Sequence, residues 1–339
     1  MLEPGEAENW RDVLLRASEA AQRRRYTGEA LSIAWSDGEP HVVLSDVHRD
    51  RDNLTVSFPD RFSVRLGAED GDIVHEEEGW LAPLPAVNHD DAEKAVAALE
   101  EKYEVAVTGE DRLLDRPSTR LEVRQRADGS LRERLWVDED TGLLLRRESF
   151  EGAGRRLRLI AYLSLDLRPG AAVRAGGRAA RDGGTERLDR RSQAISPVDP
   201  DALSALRQAG WTVPATLPGS YEPVGMYAVD GSHSQPLQVV YGDGLYTVSI
   251  FQQRGRPDWD SLPEGAEPAK RLGWHAYEWP GAVPQRLVWE ASGTTFSLVG
   301  DAPPEEFFAI AESLPNPQGG SLADRLRRGL SRLWDWVSQ

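Results

Sequence analysis

Acid–base, nucleophilic and metal-binding residues are present in this 339-residue chain, but no short-range spacing gathers them into a reactive set. The six His (His41, His48, His75, His89, His233, His275) stand apart. His75-Glu76-Glu77-Glu78 lacks the second His that would place two imidazoles on one helical face, so it reads as a solvated acidic loop. Cys is absent, which removes thiolate zinc sites, iron–sulfur clusters, disulfides and Cys nucleophiles. None of the three Lys (Lys94, Lys102, Lys270) follows a Gly-rich loop and precedes Ser or Thr, so no phosphate-cradling loop is expected. Gly152-Ala153-Gly154 has Leu157 where a dinucleotide loop needs its third Gly and reads as a turn. Asp138, Asp140 and Gly142 superficially resemble a calcium loop, but position 12 from Asp138 is Ser149, so a hairpin turn is expected. No Gly-x-Ser-x-Gly elbow occurs, and 56 Asp and Glu single out no acid–base pair. The expectation is a protein without catalysis, metal or cofactor.

Charge narrows the partners. The net charge is −16, which argues against a nucleic-acid backbone as ligand. Two segments are basic against this background: 168–191, with seven Arg and three acids (+4), and 321–339, with four Arg and two Asp (+2). No stretch reaches the ~20 apolar residues of a membrane span, and Met1 to Trp10 is acidic without the apolar core of a signal peptide. Composition leaves open a cytosolic protein or the soluble part of an exported one.

The positioning elements follow from periodicity. Trp10, Val13, Leu14, Ala17 and Ala21 share a helical face. Strand alternation runs through Leu31, Ile33 and Trp35, turns at Ser36-Asp37-Gly38-Glu39 into His41–Val47, and returns at Phe62, Val64 and Leu66. A second helix carries Ala92, Ala95, Val96, Leu99 and Tyr103, with Asp90 and Glu93 at capping-box spacing. Strands then follow at Arg120–Gln125, Leu131–Val137, Leu143–Phe150 and Arg156–Leu167, where Leu157, Leu159, Ala161, Leu163, Leu165 and Leu167 alternate onto one side. Their short connections demand antiparallel neighbours. Residues 168–196 lack apolar periodicity and read as a flexible Arg/Gly-rich linker.

A second unit opens with Asp199, Pro200 and a helix closed by Gly210. Hairpins follow at Leu237–Tyr241 with Leu245–Phe251, and at Arg286–Ala291 with Thr294–Val299. A last helix starts at Pro303-Pro304 and stops at Pro315. The tail from Ser321 puts Leu322, Leu326, Leu330, Leu333, Trp334 and Val337 on one face. It would lie on a membrane surface or dock on the protein's own domains. The division is therefore 8–167, an antiparallel β domain with two helices; 168–196, a linker; 197–316, a small α+β domain; and 321–339, an amphipathic helix.

Several of these segments together resemble the RseB/MucB family, regulators of extracytoplasmic, sigma-E type stress signalling. The front part carries the resemblance through Trp10–Ala21, Tyr26-Thr27-Gly28, and Leu135-Trp136-Val137-Asp138 running into Thr141-Gly142-Leu143-Leu144-Leu145-Arg146. The second part carries it through Gly210-Trp211-Thr212-Val213, Leu217-Pro218, Tyr241-Gly242-Asp243-Gly244-Leu245-Tyr246-Thr247-Val248-Ser249-Ile250-Phe251, and Val299-Gly300-Asp301-Ala302-Pro303 through Ser313-Leu314-Pro315.

The resemblance implies an α+β fold. Its front half would be a large curved antiparallel sheet, a half-barrel like the lipoprotein carriers LolA and LolB. A smaller α+β C-terminal domain would follow. It also implies an extracytoplasmic protein that binds the extracytoplasmic segment of a membrane-anchored anti-sigma factor and limits its proteolysis, with a lipid ligand relieving that protection. A lipid or lipoprotein carrier is the alternative. The linker and the tail fall outside the resembling segments.

Within that frame Leu31, Ile33, Trp35, Phe62, Val64 and Leu66 are candidates to line a lipid cavity, with plain core packing as the competing role. Of the eleven Trp, those on strands (Trp35, Trp136, Trp289) suit core filling. Trp279, in the loop Trp279-Pro280-Gly281, is a candidate for partner contact together with Tyr241 and Tyr246, because aromatics dominate interface hot spots.

Overall fold

The computed structural model describes residues 9–36, 38–50, 53–57, 63–67, 89–152, 154–167, 200–228, 237–282 and 284–317. The linker 168–196, the tail 321–339, His75 with its acidic neighbours, and Phe62 lie outside the described residues.

The chain folds as α1 (Trp10–Arg23), β1 (Tyr26–Ser36), β2 (Glu39–Arg49), β3 (Asn53–Ser57), β4 (Ser63–Gly67), α2 (His89–Lys102), β5 (Tyr103–Leu113), β6 (Arg116–Gln125), β7 (Leu131–Asp138), β8 (Leu144–Phe150) and β9 (Arg156–Asp166). The second half adds α3 (Pro200–Gln208), β10 (Glu222–Ala228), β11 (Leu237–Gly242), β12 (Thr247–Arg254), β13 (Glu267–Pro268), β14 (Ala276–Glu278), β15 (Gln285–Ala291), β16 (Thr294–Gly300) and α4 (Pro304–Ser313). The strands make two open antiparallel sheets, ordered β4-β3-β2-β1-β9-β8-β7-β6-β5 in front and β10-β11-β12-β16-β15-β14-β13 behind. This is the expected α+β class.

Local chemistry explains most boundaries. Asn9 caps α1 by accepting the Arg11 N–H at 3.1 Å. The β1–β2 turn places Gly38 at φ 87°, and the register it sets pairs Ile33 with Val42 and Leu31 with Leu44. The Asp138 carboxylate takes both Arg116 nitrogens at 3.0 Å and the Thr141 N–H at 3.1 Å, so it closes a hairpin turn. α2 begins at His89, one residue before the Asp90 expected to cap it. Tyr103 starts β5 instead of ending α2, because its ring turns into the core while its neighbours Glu104 and Ala106 face solvent.

One expected alternation is broken. A bulge sits where Glu29 pairs with Ser164 but Ala30 pairs with Tyr162. The extra residue, Leu163, is 46% exposed. Beyond it Leu165 and Leu167 pack with Tyr26, Ala30 and Val47, on the opposite side from Leu159 and Ala161.

The inner face of the front sheet carries Leu121, Val123, Leu135 and Val137, covered by Val13, Leu14 and Ala17 of α1 and by Val96 and Leu99 of α2. The same core continues into the back sheet through Tyr241, Leu245, Tyr246, Val248 and Phe307. Each such side chain contributes roughly 1.5–3 kcal/mol by leaving water. In the back sheet Trp289 is fully buried, stacks on Phe296 at 5.4 Å and donates its indole N–H to the Pro315 carbonyl at 2.8 Å.

Candidate functional site

Residues paired across an antiparallel sheet share a face. Two neighbouring rows can therefore be followed across seven strands on the outer face, away from α1 and α2. One row runs Leu44, Leu31, Ala161, Arg146, Trp136, Arg120, Gly109 from β2 to β5. The other runs Val42, Ile33, Leu159, Glu148, Arg134, Glu122, Ala106. The β2 end is apolar and open: Val42 is 58% exposed and Leu44 41%. The β6–β8 end is charged.

At the charged end each guanidinium is fixed twice. Arg146 lies 4.9 Å over the Trp136 ring and bonds the Glu148 carboxylate, with Nε at 3.1 Å. Arg156 reaches the same carboxylate at 3.1 Å and sits 5.8 Å over Trp35. Arg134 lies 5.3 Å over Phe150 and bonds Glu122 at 2.8 Å, while Arg124 takes the other Glu122 oxygen at 2.7 Å. Trp136 donates its indole N–H to Asp111 at 2.8 Å, and Asp111 also pairs with Arg120 at 3.1 Å. Burial acts to raise the Glu122 carboxyl, but hydrogen bonds from Arg134 and Arg124 outweigh it and hold the group below the ordinary carboxylate range.

The inner face bears a second polar cluster, where the back sheet docks. Asp243 fixes its own turn by accepting the N–H groups of Leu245 (3.0 Å) and Tyr246 (2.8 Å). Its other oxygen meets the Lys102 ammonium and accepts the Tyr103 hydroxyl at 2.7 Å. Lys102 also reaches Glu306 at 3.3 Å and lies over the rings of Tyr103 (5.2 Å) and Tyr221 (4.9 Å). Nearby, Arg147 bonds Glu133 at 3.0 Å and lies 3.7 Å from Asp301, while Arg158 donates to the Asp301 carbonyl at 2.9 Å. Burial pushes the carboxyls of Glu133 and Asp301 up, against the opposing pull of Arg147.

The candidate residues separate accordingly. Leu31, Ile33 and Trp35 lie half-buried on the outer face. Val64 registers through Val56 and Val47 with Gly28, and Leu66 through Leu54 and Arg49 with Tyr26. These β1 positions alternate with Leu31 and Ile33 along the strand. Tyr241 and Tyr246 are buried, with hydroxyls donated to the carbonyls of Pro214 (3.0 Å) and Arg132 (3.4 Å). They hold the interior together and present nothing to a partner. Trp279 is half-buried in a turn closed by Ala282 N–H to Trp279 O at 3.1 Å, and the adjoining Gly281 abuts His41 of the front sheet.

Val42 and Leu44 were not singled out from the sequence. The turn at Gly38 holds the signal for them, since the register it sets puts both opposite Ile33 and Leu31. The Arg–aromatic pairs join residues from separate strands and had no local signal. Among the described residues no group of His, Asp and Glu is arranged to hold a metal ion, and no helix is long and apolar enough to cross a membrane.

Residues 9–182 match the MucB/RseB N-terminal domain family. Among solved structures, the crystal structure of MucB is similar at a TM-score of 0.51 and 17% identity, covering 93% of this chain and all of that one. The MucA/MucB complex of Pseudomonas aeruginosa is similar at 0.46 and 16%, over 89% of this chain and 96% of that one. A LolA superfamily protein from Nitrosomonas europaea covers 48% of this chain and 95% of its own, at 0.21 and 13%. No curated protein gives a match. The likeness to MucB is one of fold.

Proposed function

We propose that this chain, which belongs to the MucB/RseB family, is an extracytoplasmic regulator that binds the extracytoplasmic segment of an anti-sigma factor and limits its proteolysis. The observation that carries the reading is the family match over 9–182, the residues that build the front sheet and its outer face. A binding role without bond-making chemistry fits the way the buried carboxylates are used. Glu133, Asp138 and Asp243 are engaged by Arg147, Arg116 and Lys102, and Asp301 accepts the Thr247 N–H at 2.6 Å.

Relief of the protection by a lipid ligand belongs to the same proposal. Its support is the open apolar end of the outer face at Val42 and Leu44.

The test mixes the purified chain with the extracytoplasmic segments of anti-sigma factors from the same host. Calorimetry reads affinity, and gel lanes read the lifetime of each segment under a site-cleaving protease. A complex that lengthens that lifetime supports the reading, and no detectable complex with any of the segments ends it. Native mass spectrometry of gently purified protein tests the lipid arm, where a bound acyl species is the expected result.

A further inference from the structure

We propose that the outer face of the front sheet docks an extended, acidic and amphipathic stretch of polypeptide, apolar side chains on β1–β2 and carboxylates on β7–β9. The inference rests on the partner-binding reading above and names the surface and the chemistry of the bound segment.

Three observations point to it. First, two of the carboxylates at the charged end are outnumbered: Glu122 is shared by Arg124 and Arg134, and Glu148 by Arg146 and Arg156. Each trio taken alone therefore sums to +1, with Glu104 set opposite Arg124 in the β5–β6 register, on a chain whose net charge is −16. The Nε–H of Arg156 is buried and finds no acceptor among the described residues. Second, the same rows end in side chains that water now covers, Val42 and Leu44. Third, the spacing suits a peptide. Three strand intervals separate Leu44 from Arg146, about 14 Å at ~4.8 Å each. An extended chain rising ~3.3 Å per residue crosses that in about four residues.

The guanidinium carbons lie over the rings of Trp136, Phe150 and Trp35, spread along the sheet. Planar donors held this way recognise individual carboxylates by paired hydrogen bonds. A lipid headgroup calls instead for cations converging on one phosphate, so the geometry favours the peptide.

The test uses the full chain and the anti-sigma segment that binds it in the experiment above. Val42→Asp with Leu44→Asp removes the apolar end, and Arg146→Gln with Arg156→Gln removes one charged pair. Val224→Asp, at a 53% exposed site on β10 of the back sheet, serves as the control. Thermal unfolding within a few degrees of wild type certifies each fold. If a double variant does not fold, its single substitutions replace it. The expected result is at least a tenfold weaker complex for both outer-face variants, an unchanged control, and a salt dependence that shrinks in the Arg variant.

Wild-type affinity in both folded variants overturns the docking face and leaves the regulatory reading standing. A wild-type chain that binds no segment ends both. A parallel titration with phosphatidylglycerol vesicles covers the other occupant. Variants that lose vesicle binding but keep the segment make the face a lipid surface and overturn the proposal.

Discussion

Gly244 packs directly on the backbone of Leu99. A β-carbon there would overlap the Leu99 amide nitrogen and come within 2.7 Å of the Ala95 carbonyl oxygen, and the residue sits at φ 91°. The turn that bears it is thus seated on the last turns of α2, and Asp243 beside it receives Lys102 and Tyr103 from the same helix end. The back sheet grips the front one through main chain and buried charge together.

Substituting Gly244→Ala is expected to destabilise the protein by several kcal/mol. Backbone strain at positive φ is about 1–3 kcal/mol, and the helix backbone has no room to yield. Gly255→Ala is the control, because Gly255 also has positive φ (119°) but nothing within 4 Å of its missing β-carbon. Urea unfolding of both variants separates the terms. Equal losses would show that the contact with Leu99 contributes nothing.

Lys102→Met should cost about 3–5 kcal/mol, since it leaves the buried Asp243 without its counter-ion. Asp243→Asn should lose as much or more, because that carboxylate also holds its own turn. The double variant is expected to lose clearly less than the two summed. A double-mutant cycle returning additive losses would show the two groups to be independent.

The acid limb of stability has two signs. Glu122 has a lowered folded value, so its contribution is complete above the ordinary Glu value of about 4.3 and drains as pH falls through the folded value. Glu133 and Asp301 have raised folded values, so their contribution is present at low pH and lost as pH rises through those values. Glu122→Gln is therefore expected to cost about 1 kcal/mol at neutral pH, with the gap to wild type closing toward pH 3. Urea titrations across that range test it, and a pH-independent gap would contradict the assignment.

Trp289→Phe keeps the ring stacked on Phe296 but deletes the indole donor to Pro315. The expected loss is about 1–3 kcal/mol, from the lost hydrogen bond and the shrinking of a packed side chain. Hydrogen exchange should speed selectively at the end of α4, where Pro315 follows. Uniform protection across the back sheet would argue that the bond is not what holds that end.

The elements were largely legible from the residues alone. Alternation at Leu31, Ile33 and Trp35, the Gly38 turn, the stripes of α1 and α2 and the hairpins of the back sheet are local patterns, each set by neighbours a few positions away. β5 escaped because a bulge at Thr108 breaks its period two, leaving only Tyr103, Val105 and Val107 to alternate before the register shifts. Period two says which residues share a face without saying what covers that face. Only the tertiary structure decided that Tyr241 and Tyr246 turn inward, that a bulge at Leu163 sends Leu165 to the other side, and that Lys102 meets Asp243, 141 positions away. Those outcomes depend on how two sheets pack and which charges are desolvated together, energies that exist only once distant segments touch.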